Sequence, residues 1–226
     1  MTEKEQAIQK ILLFRQKTTE APIEYAISPM GITGEDVGWA GAADNDHPEL
    51  NINGKAYKLD LTAAGDGAQE SAQVLDGSGN VIGNIVPWSR TSKSVLARSE
   101  DYDYRVMTLD SGLRLFVYEV GLGKNGHFWC VYEDDDRLVA VIQKSSVTKD
   151  SKDVYELYLD RAELADAAAL LALYIDASAY ARVDENGFNR ENIVTTAKAL
   201  IRKYDPDFIQ RIRAELDAFR STEPEQ

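Results

Sequence analysis

Cysteine is almost absent from this 226-residue sequence, which contains a single one, Cys130. One cysteine excludes an internal disulfide and is typical of a reducing compartment. A long apolar N-terminal segment is also lacking, because the first residues, MTEKEQAIQK, mix acidic and basic side chains. A secretory signal peptide does not begin in this way, so we expect a cytoplasmic protein.

Positive charge is scarce. The chain has 25 Lys and Arg residues against 38 Asp and Glu residues, a formal net charge of -13. Nucleic acids and anionic membranes carry phosphates that such a surface repels. We therefore expect no nucleic-acid partner and no membrane association, while the 44% of hydrophobic residues suffices for a large core.

The most apolar stretch runs from Ala167 to Ile175, where the phenol of Tyr174 is the only polar side-chain group. A helix that is apolar on every face must be enclosed by protein or lipid. A bilayer needs about 20 apolar residues, and this stretch is closed by Asp166 and Asp176. The sequence therefore predicts a helix enclosed by protein.

Antiparallel hairpins are predicted along much of the chain before this helix. Asn53-Gly54 lies between two alternating runs, which is the strongest short-range hairpin signal. Residues 72–85 and 129–142 align with each other at a constant offset of 57 residues, each as strand, acidic turn and strand. A looser hairpin at 104–120 turns at Asp110-Ser111-Gly112.

The segments around these hairpins give weaker signals. The T-x-x-E box of Thr2 and Glu5 precedes an apolar stripe that predicts a short helix; the stripe comprises Ala7, Ile8, Ile11 and Leu12. Residues 31–49, rich in Gly, Asp and Asn, predict a long loop. A final strand at 154–159 runs into Asp160, which with Glu163 predicts the cap of the central helix.

Hairpins followed by one wholly apolar helix favour a sheet closed around that helix, because closure removes exposed strand edges. We predict an α+β fold in which an antiparallel β-barrel closes around a central apolar helix. A C-terminal helical hairpin follows it.

Three stretches resemble one known group of proteins. They are VYEDDDRLVAVIQK at 131–144, DVYELYLD at 153–160, and the alanine- and leucine-rich segment ending in YID at 174–176. With the repeated hairpins, they resemble the tubby C-terminal-like group, which includes the LURP-one-related and phospholipid scramblase-like proteins. The resemblance covers roughly residues 23–183 and implies an antiparallel barrel threaded by its C-terminal helix.

Two further helical patterns follow the central helix. Residues 189–204 carry one apolar stripe, and Asp205-Pro206, an N-cap followed by proline, opens a second helix. We divide the chain into residues 1–187, the tubby-like barrel with its N-terminal and central helices, and residues 188–226, the helical hairpin. Its apolar stripes need cover from its own barrel, a partner protein or a second copy in a homo-oligomer.

A basic segment interrupts the acidic surface. Arg90, Lys93 and Arg98 lie close together in sequence, beside Trp88. Tubby proteins bind phosphoinositide headgroups through a basic surface, so the resemblance implies a ligand or headgroup surface here. Because these positions have no residue-by-residue match with tubby proteins, this idea is an analogy from the fold.

A loose polar cluster of Asp44, Asp46 and His47 suggests an alternative, an enzyme that uses this loop with or without a metal. Ordinary polar loops are a far commoner source of such clusters. The G-x-G-x-x-G match at 121–126 precedes a predicted strand, whereas a dinucleotide site requires a helix there. We therefore expect no cofactor, no metal and no catalytic residue.

His127 and Cys130 are the remaining candidates for nucleophilic catalysis. They lie three residues apart on one predicted strand, so they face opposite sides of the sheet and form no dyad. The leading hypothesis is a non-enzymatic binding or scaffold module of the tubby C-terminal-like type, which binds an unknown protein or small ligand. The alternatives are peripheral phospholipid or phosphoinositide binding and an enzyme at residues 44–47.

Overall fold

The computed structural model describes residues 10–18, 23–30, 36–41, 46–62, 71–92, 100–122, 126–145, 152–179 and 198–221. Within these ranges the chain forms twelve β-strands: β1 (Ile11–Gln16), β2 (Glu24–Pro29), β3 (Gly38–Gly41), β4 (Glu49–Ile52), β5 (Lys55–Asp60), β6 (Ala72–Asp76), β7 (Val81–Ser92), β8 (Glu100–Leu109), β9 (Arg114–Gly121), β10 (His127–Glu133), β11 (Arg137–Lys144) and β12 (Val154–Leu159).

The strands form a single closed barrel. Each strand pairs antiparallel with the next along the chain, and β12 pairs with β1 to close the sheet. The Asn53-Gly54 turn has the backbone conformation of a two-residue hairpin turn, with φ angles of 53° and 75°, as its sequence predicted. The predicted antiparallel barrel is therefore confirmed.

Helix α1 (Ala165–Ala179) lies inside the barrel, after a 3-10 turn at Ala162–Leu164. Every residue from Ala167 to Ile175 is buried, as the apolar pattern predicted, and the burial continues through Asp176 and Ala177. Each strand contributes at least one buried side chain to this inner core: Phe14, Ile27, Ala40, Ile52, Leu59, Val74, Ile85, Met107, Val117, Val131, Ile142 and Leu157. None of the described helices is long and apolar enough to cross a bilayer.

The two repeated hairpins have the same register. In the β6–β7 hairpin Val74 lies opposite Gly83, and in the β10–β11 hairpin Val131 lies opposite Ala140. In each copy the register shifts directly after that valine, which marks a β-bulge at equivalent positions. The offset of 57 residues seen in the sequence thus corresponds to a repeated structural unit.

Helices α2 (Lys198–Ile201) and α3 (Pro206–Ser221) pack on the outside of the barrel. The carboxylate of Asp205 accepts the backbone N–H of Asp207 at 3.0 Å, which confirms the predicted N-cap. A second core forms beneath them: Ile11, Tyr104, Val106, Phe116, Tyr118, Val120, Phe128, Cys130, Val141, Tyr158, Leu200, Phe208, Ile209, Ile212 and Leu216. The stripe of α3 is covered by its own barrel, and the homo-oligomer stays a prediction.

The N-terminal helix prediction was wrong at Ile11 and Leu12, which begin β1 and pair with Tyr158 and Leu157 of β12. The rest of that predicted helix, including Thr2, Glu5, Ala7 and Ile8, lies outside the described residues. The apolar spacing fitted a helix, but pairing with β12 decided the strand. The long loop at 31–49 was also wrong in part, because it contains β3.

The predicted Asp160 cap was wrong as well. The backbone N–H of Asp160 donates to the carbonyl of Val139 in β11 at 2.9 Å, so Asp160 is still bonded to the neighbouring strand one residue past the end of β12. Arg161 precedes the 3-10 turn and makes no side-chain cap. The chain therefore passes from β12 into the 3-10 turn without a side-chain cap.

Candidate functional site

The β7–β8 hairpin extends beyond the rest of the barrel wall. Residues Gly83–Ser92 pair with Glu100–Leu109 over ten consecutive positions. Among the described strands, β6 pairs with β7 only as far as Ile85, and β9 pairs with β8 only from Arg105. The end of this hairpin is therefore a two-stranded ribbon, which we call the β7–β8 ribbon.

One face of this ribbon carries Trp88 and Arg90. Trp88 is 53% exposed and lies opposite Tyr104, and Arg90 lies opposite Tyr102. The Arg90 guanidinium lies over the Tyr104 ring, 5.5 Å from its centroid. The ribbon thus brings together two of the four predicted surface residues; Lys93 and Arg98 lie outside the described residues.

The other face of the ribbon is acidic. Asp103 accepts a hydrogen bond from the Ser89 hydroxyl, and Asp101 accepts one from the Thr91 hydroxyl at 2.7 Å. These cross-strand pairs tie β7 to β8 where neighbouring strands have ended. The ribbon therefore has one aromatic and cationic face and one acidic face.

Arg90 has a carboxylate partner that the sequence did not predict. Its Nη1 lies 2.9 Å from Oδ2 of Asp135, in the turn between β10 and β11. Asp135 also accepts hydrogen bonds from Lys203 Nζ at 2.8 Å and from the Tyr118 hydroxyl. Burial alone would raise the pKa of Asp135, but the hydrogen bonds from Lys203, Tyr118 and Arg90 hold it below its usual value.

The pairing of Arg90 with Asp135 argues against phosphoinositide headgroup binding at Arg90. The charge of Arg90 is already offset by the carboxylate of Asp135. The hydrogen bond from Arg90 to Asp135 is the main cause of the raised pKa of Arg90. A phosphate would have to compete with an oriented carboxylate. Arg90 is therefore better placed to present a fixed guanidinium at the surface than to bind a phosphate headgroup.

A second polar cluster lies at the C-terminal end of α1. Asp176 is 4% exposed and accepts hydrogen bonds from the hydroxyls of Tyr155, at 2.8 Å, and Tyr25. Burial raises the pKa of Asp176 to about 6. An ion pair of Lys144 with Asp153 at 2.9 Å lies close to this group.

Glu119 lies between two basic side chains in the barrel wall, His127 and Arg105. His127 Nε2 lies 2.8 Å from one of its carboxylate oxygens, and Arg105 Nη1 lies 3.6 Å from the other. Burial raises the pKa of Glu119, but His127 and Arg105 together lower this pKa by more than burial raises it, so the net shift is downward. The His127 ring packs against Trp129, with centroids 4.2 Å apart.

This arrangement confirms that His127 and Cys130 form no dyad. Trp129, against which His127 packs, belongs to the inner core, whereas Cys130 belongs to the outer core under the C-terminal helices. Burial raises the pKa of the Cys130 thiol to about 12, which suppresses thiolate formation. Cys130 is therefore a buried apolar side chain, as expected.

Two residues of the predicted loop cluster, Asp46 and His47, lie within the described residues. His47 Nε2 lies 3.8 Å from Oδ1 of Asp60, and the Asp46 carbonyl accepts the Leu61 N–H at 2.9 Å. Asp44 lies outside the described residues. Within the described part of the chain, no three His, Cys, Asp or Glu side chains are grouped to hold a metal ion.

No family model matches the sequence, and neither the curated proteins nor the solved structures searched contain a match. The tubby-like resemblance thus remains an expectation from the sequence stretches quoted above.

Proposed function

We propose that this protein is a non-enzymatic binding or scaffold module that engages a partner protein through the β7–β8 ribbon. The observation that carries the proposal is the half-exposed Trp88 beside Arg90 on the ribbon face. Tryptophan and arginine are the side chains most enriched among residues that dominate binding energy.

The architecture supports an external site. Helix α1 fills the barrel interior with buried apolar side chains, so the wall and its extensions offer the accessible surface. The Asp135 carboxylate and the Tyr104 ring hold Arg90 in place before any partner arrives, which lowers the entropy lost on binding. Such a face suits a protein segment with apolar and aromatic side chains, which can pack on Trp88 and on the Arg90 guanidinium without competing with Asp135.

The chain offers a matched control for this proposal. Trp39 on β3 is 50% exposed, close to the exposure of Trp88. Affinity capture from source cells should retain a partner with the wild type and Trp39→Ala, and lose most of it with Trp88→Ala. A partner captured equally by all three proteins, or none captured by any, would reject the ribbon as the binding surface.

Phospholipid binding is the alternative that the same residues test. With a net charge of -13 and Arg90 paired to Asp135, we expect no flotation with anionic vesicles at low salt. Flotation that Arg90→Glu with Lys93→Glu abolishes would favour the headgroup surface instead.

We also propose a cytoplasmic location, where a single cysteine stays reduced.

A further inference from the structure

Lys203 places its ammonium group between two tyrosine rings. Nζ lies 4.3 Å from the ring centroid of Tyr118 and 4.4 Å from that of Tyr132. The two rings are nearly perpendicular, with an interplanar angle of 82° and centroids 5.8 Å apart. They therefore form two walls of an aromatic cage, the arrangement that binds ammonium ions by cation–π attraction.

The third side of this cage is Asp135. Lys203 Nζ donates to its carboxylate Oδ1 at 2.8 Å and to its backbone carbonyl at 3.2 Å. The Tyr118 hydroxyl also donates to that carboxylate, which fixes its orientation. A cation here meets two ring faces and two oxygen acceptors from one residue.

Asp135 lies in the tight turn of the β10–β11 hairpin, where the Asp136 N–H donates to the Glu133 carbonyl at 3.3 Å. Asp134 and Asp135 both have positive φ angles, 51° and 66°. Positive φ at both central residues is the usual geometry of a two-residue hairpin turn, as at Asn53 and Gly54, and aspartate tolerates it better than most side chains. In the equivalent turn of β6–β7, the corresponding residues are Gly77 and Ser78, so the second copy alone presents a carboxylate here.

We propose that the Tyr118–Tyr132–Asp135 cage is a binding site for a primary alkylammonium group, which Lys203 occupies in cis. The ammonium of a second molecule enters when it displaces Lys203. Two N–H donors are used by the Asp135 oxygens, so a quaternary ammonium, which has none, binds more weakly. This site shares Asp135 with Arg90 of the ribbon, but Trp88 is not part of it, and its test does not depend on the ribbon proposal.

Emptying the cage tests this inference in the full-length chain. Lys203→Ala should bind n-butylammonium, seen as a saturable rise in melting temperature with concentration. In the wild type the half-saturating concentration should be at least about tenfold higher, because Lys203 leaves only a fraction of cages open. If Lys203→Ala fails to fold, recovery of native fluorescence on adding the amine replaces the melting shift.

Lys10→Ala is the matched control. Lys10 Nζ also links the barrel to α3, because it donates to the Glu215 carboxylate at 2.8 Å. Lys10 does not occupy the Tyr118–Tyr132–Asp135 cage. It should show no saturable response. Adding Tyr132→Leu to Lys203→Ala should abolish the response, and sodium or tetramethylammonium chloride should not reproduce it.

The source of the ammonium is distinguished by a second probe. If a blocked Gly-Lys-Gly tripeptide half-saturates the cage of Lys203→Ala at a lower concentration than n-butylammonium does, the ammonium comes from a lysine side chain of a protein. If n-butylammonium needs the lower concentration, the ammonium comes from a small amine. The proposal is overturned if Lys203→Ala responds no more than Lys10→Ala. It is also overturned if tetramethylammonium or sodium chloride raises the melting temperature of Lys203→Ala equally. If Lys203→Ala does not fold alone, failure of n-butylammonium to restore its native fluorescence likewise overturns the proposal.

Discussion

The two faces of one barrel wall are covered by helices of opposite character. Helix α1 inside the barrel is buried on every side from Ala167 to Ala177. Helix α3 outside buries one stripe, Phe208, Ile209, Ile212 and Leu216, and exposes most residues between them. The inner helix therefore completes the core that the closed sheet requires, while the outer helix covers a patch of an already closed wall.

The strands beneath α3 are buried on both faces as a result. In β10, Trp129 and Val131 point into the inner core, whereas Phe128 and Cys130 lie in the outer core. Such strands lose the alternation of apolar and polar residues that a half-exposed strand shows. The outer helices are therefore part of the fold, whereas the pairing of β12 with β1 closes the barrel without them.

Breaking the inner core should have the largest effect. Leu170→Asp places a carboxylate where Leu170 is 1% exposed, and we expect a loss of at least about 5 kcal/mol, enough to prevent folding. Leu170→Met, which nearly conserves volume, should lose less than about 1.5 kcal/mol. Urea unfolding followed by circular dichroism measures both, and a Leu170→Asp protein that unfolds like the wild type would place α1 outside the core.

Breaking the outer core should have a smaller effect. Ile212 is 1% exposed, but α3 can shift away from the wall and let water reach an Asp at this position. We expect Ile212→Asp to lose about 2–4 kcal/mol in the same urea experiment, with the barrel signal retained. A loss as large as that of Leu170→Asp would show that the two layers unfold as one unit.

The local signals of the sequence were sufficient for much of the fold. Asn53-Gly54 specifies its turn through its own backbone preferences, and the apolar run of α1 requires enclosure whatever surrounds it. Strand β3, only four residues with a glycine at each end, gives no such signal. Ile11 and Leu12 fit either a helix or a strand until β12 is beside them.

The candidate sites depend on contacts between distant parts of the chain. Trp88 and Arg90 were identified because bulky aromatic and basic residues stand out in an acidic sequence. Asp135 looked like one acid in a solvated turn, since its partners Lys203 and Tyr118 are 68 and 17 residues away. Only the packing of α2 and α3 on the wall brings these three groups together.

The two ends of α1 differ in burial, and this difference should appear as a pH dependence. Asp176 is buried with its pKa raised from 3.8 to about 6, so the native state binds its proton more tightly than the unfolded state. Stability from this group is therefore present at low pH and is lost as pH rises from about 4 to about 6. The total is about 3 kcal/mol, from about two units of pKa.

Asp176→Asn should remove this component of the pH dependence, because the amide does not titrate. The groups that face Asp176 remain in the variant: Tyr25, Tyr155, Lys144 and Asp153. Asp166→Asn, at the other end of α1 beside Lys55 at 2.7 Å, is the matched control and should keep the Asp176 component. Urea unfolding between pH 4 and 7 measures it, and equal pH profiles for the two variants would contradict this account.

Cys130 provides the smallest and most local test of the two-layer comparison. Its thiol lies in the outer core with Phe208 and Ile212, and burial raises its pKa to about 12. We expect the native thiol to react with a disulfide reagent at pH 8 at least about a hundredfold more slowly than the unfolded one, because both exposure and thiolate are suppressed. Ile212→Asp should accelerate the reaction by loosening α3, while Leu170→Met, which alters only the inner core, should not. If both variants left the rate unchanged, opening of α3 would not be the route by which reagent reaches Cys130, and the outer layer would have to open only when the whole barrel unfolds.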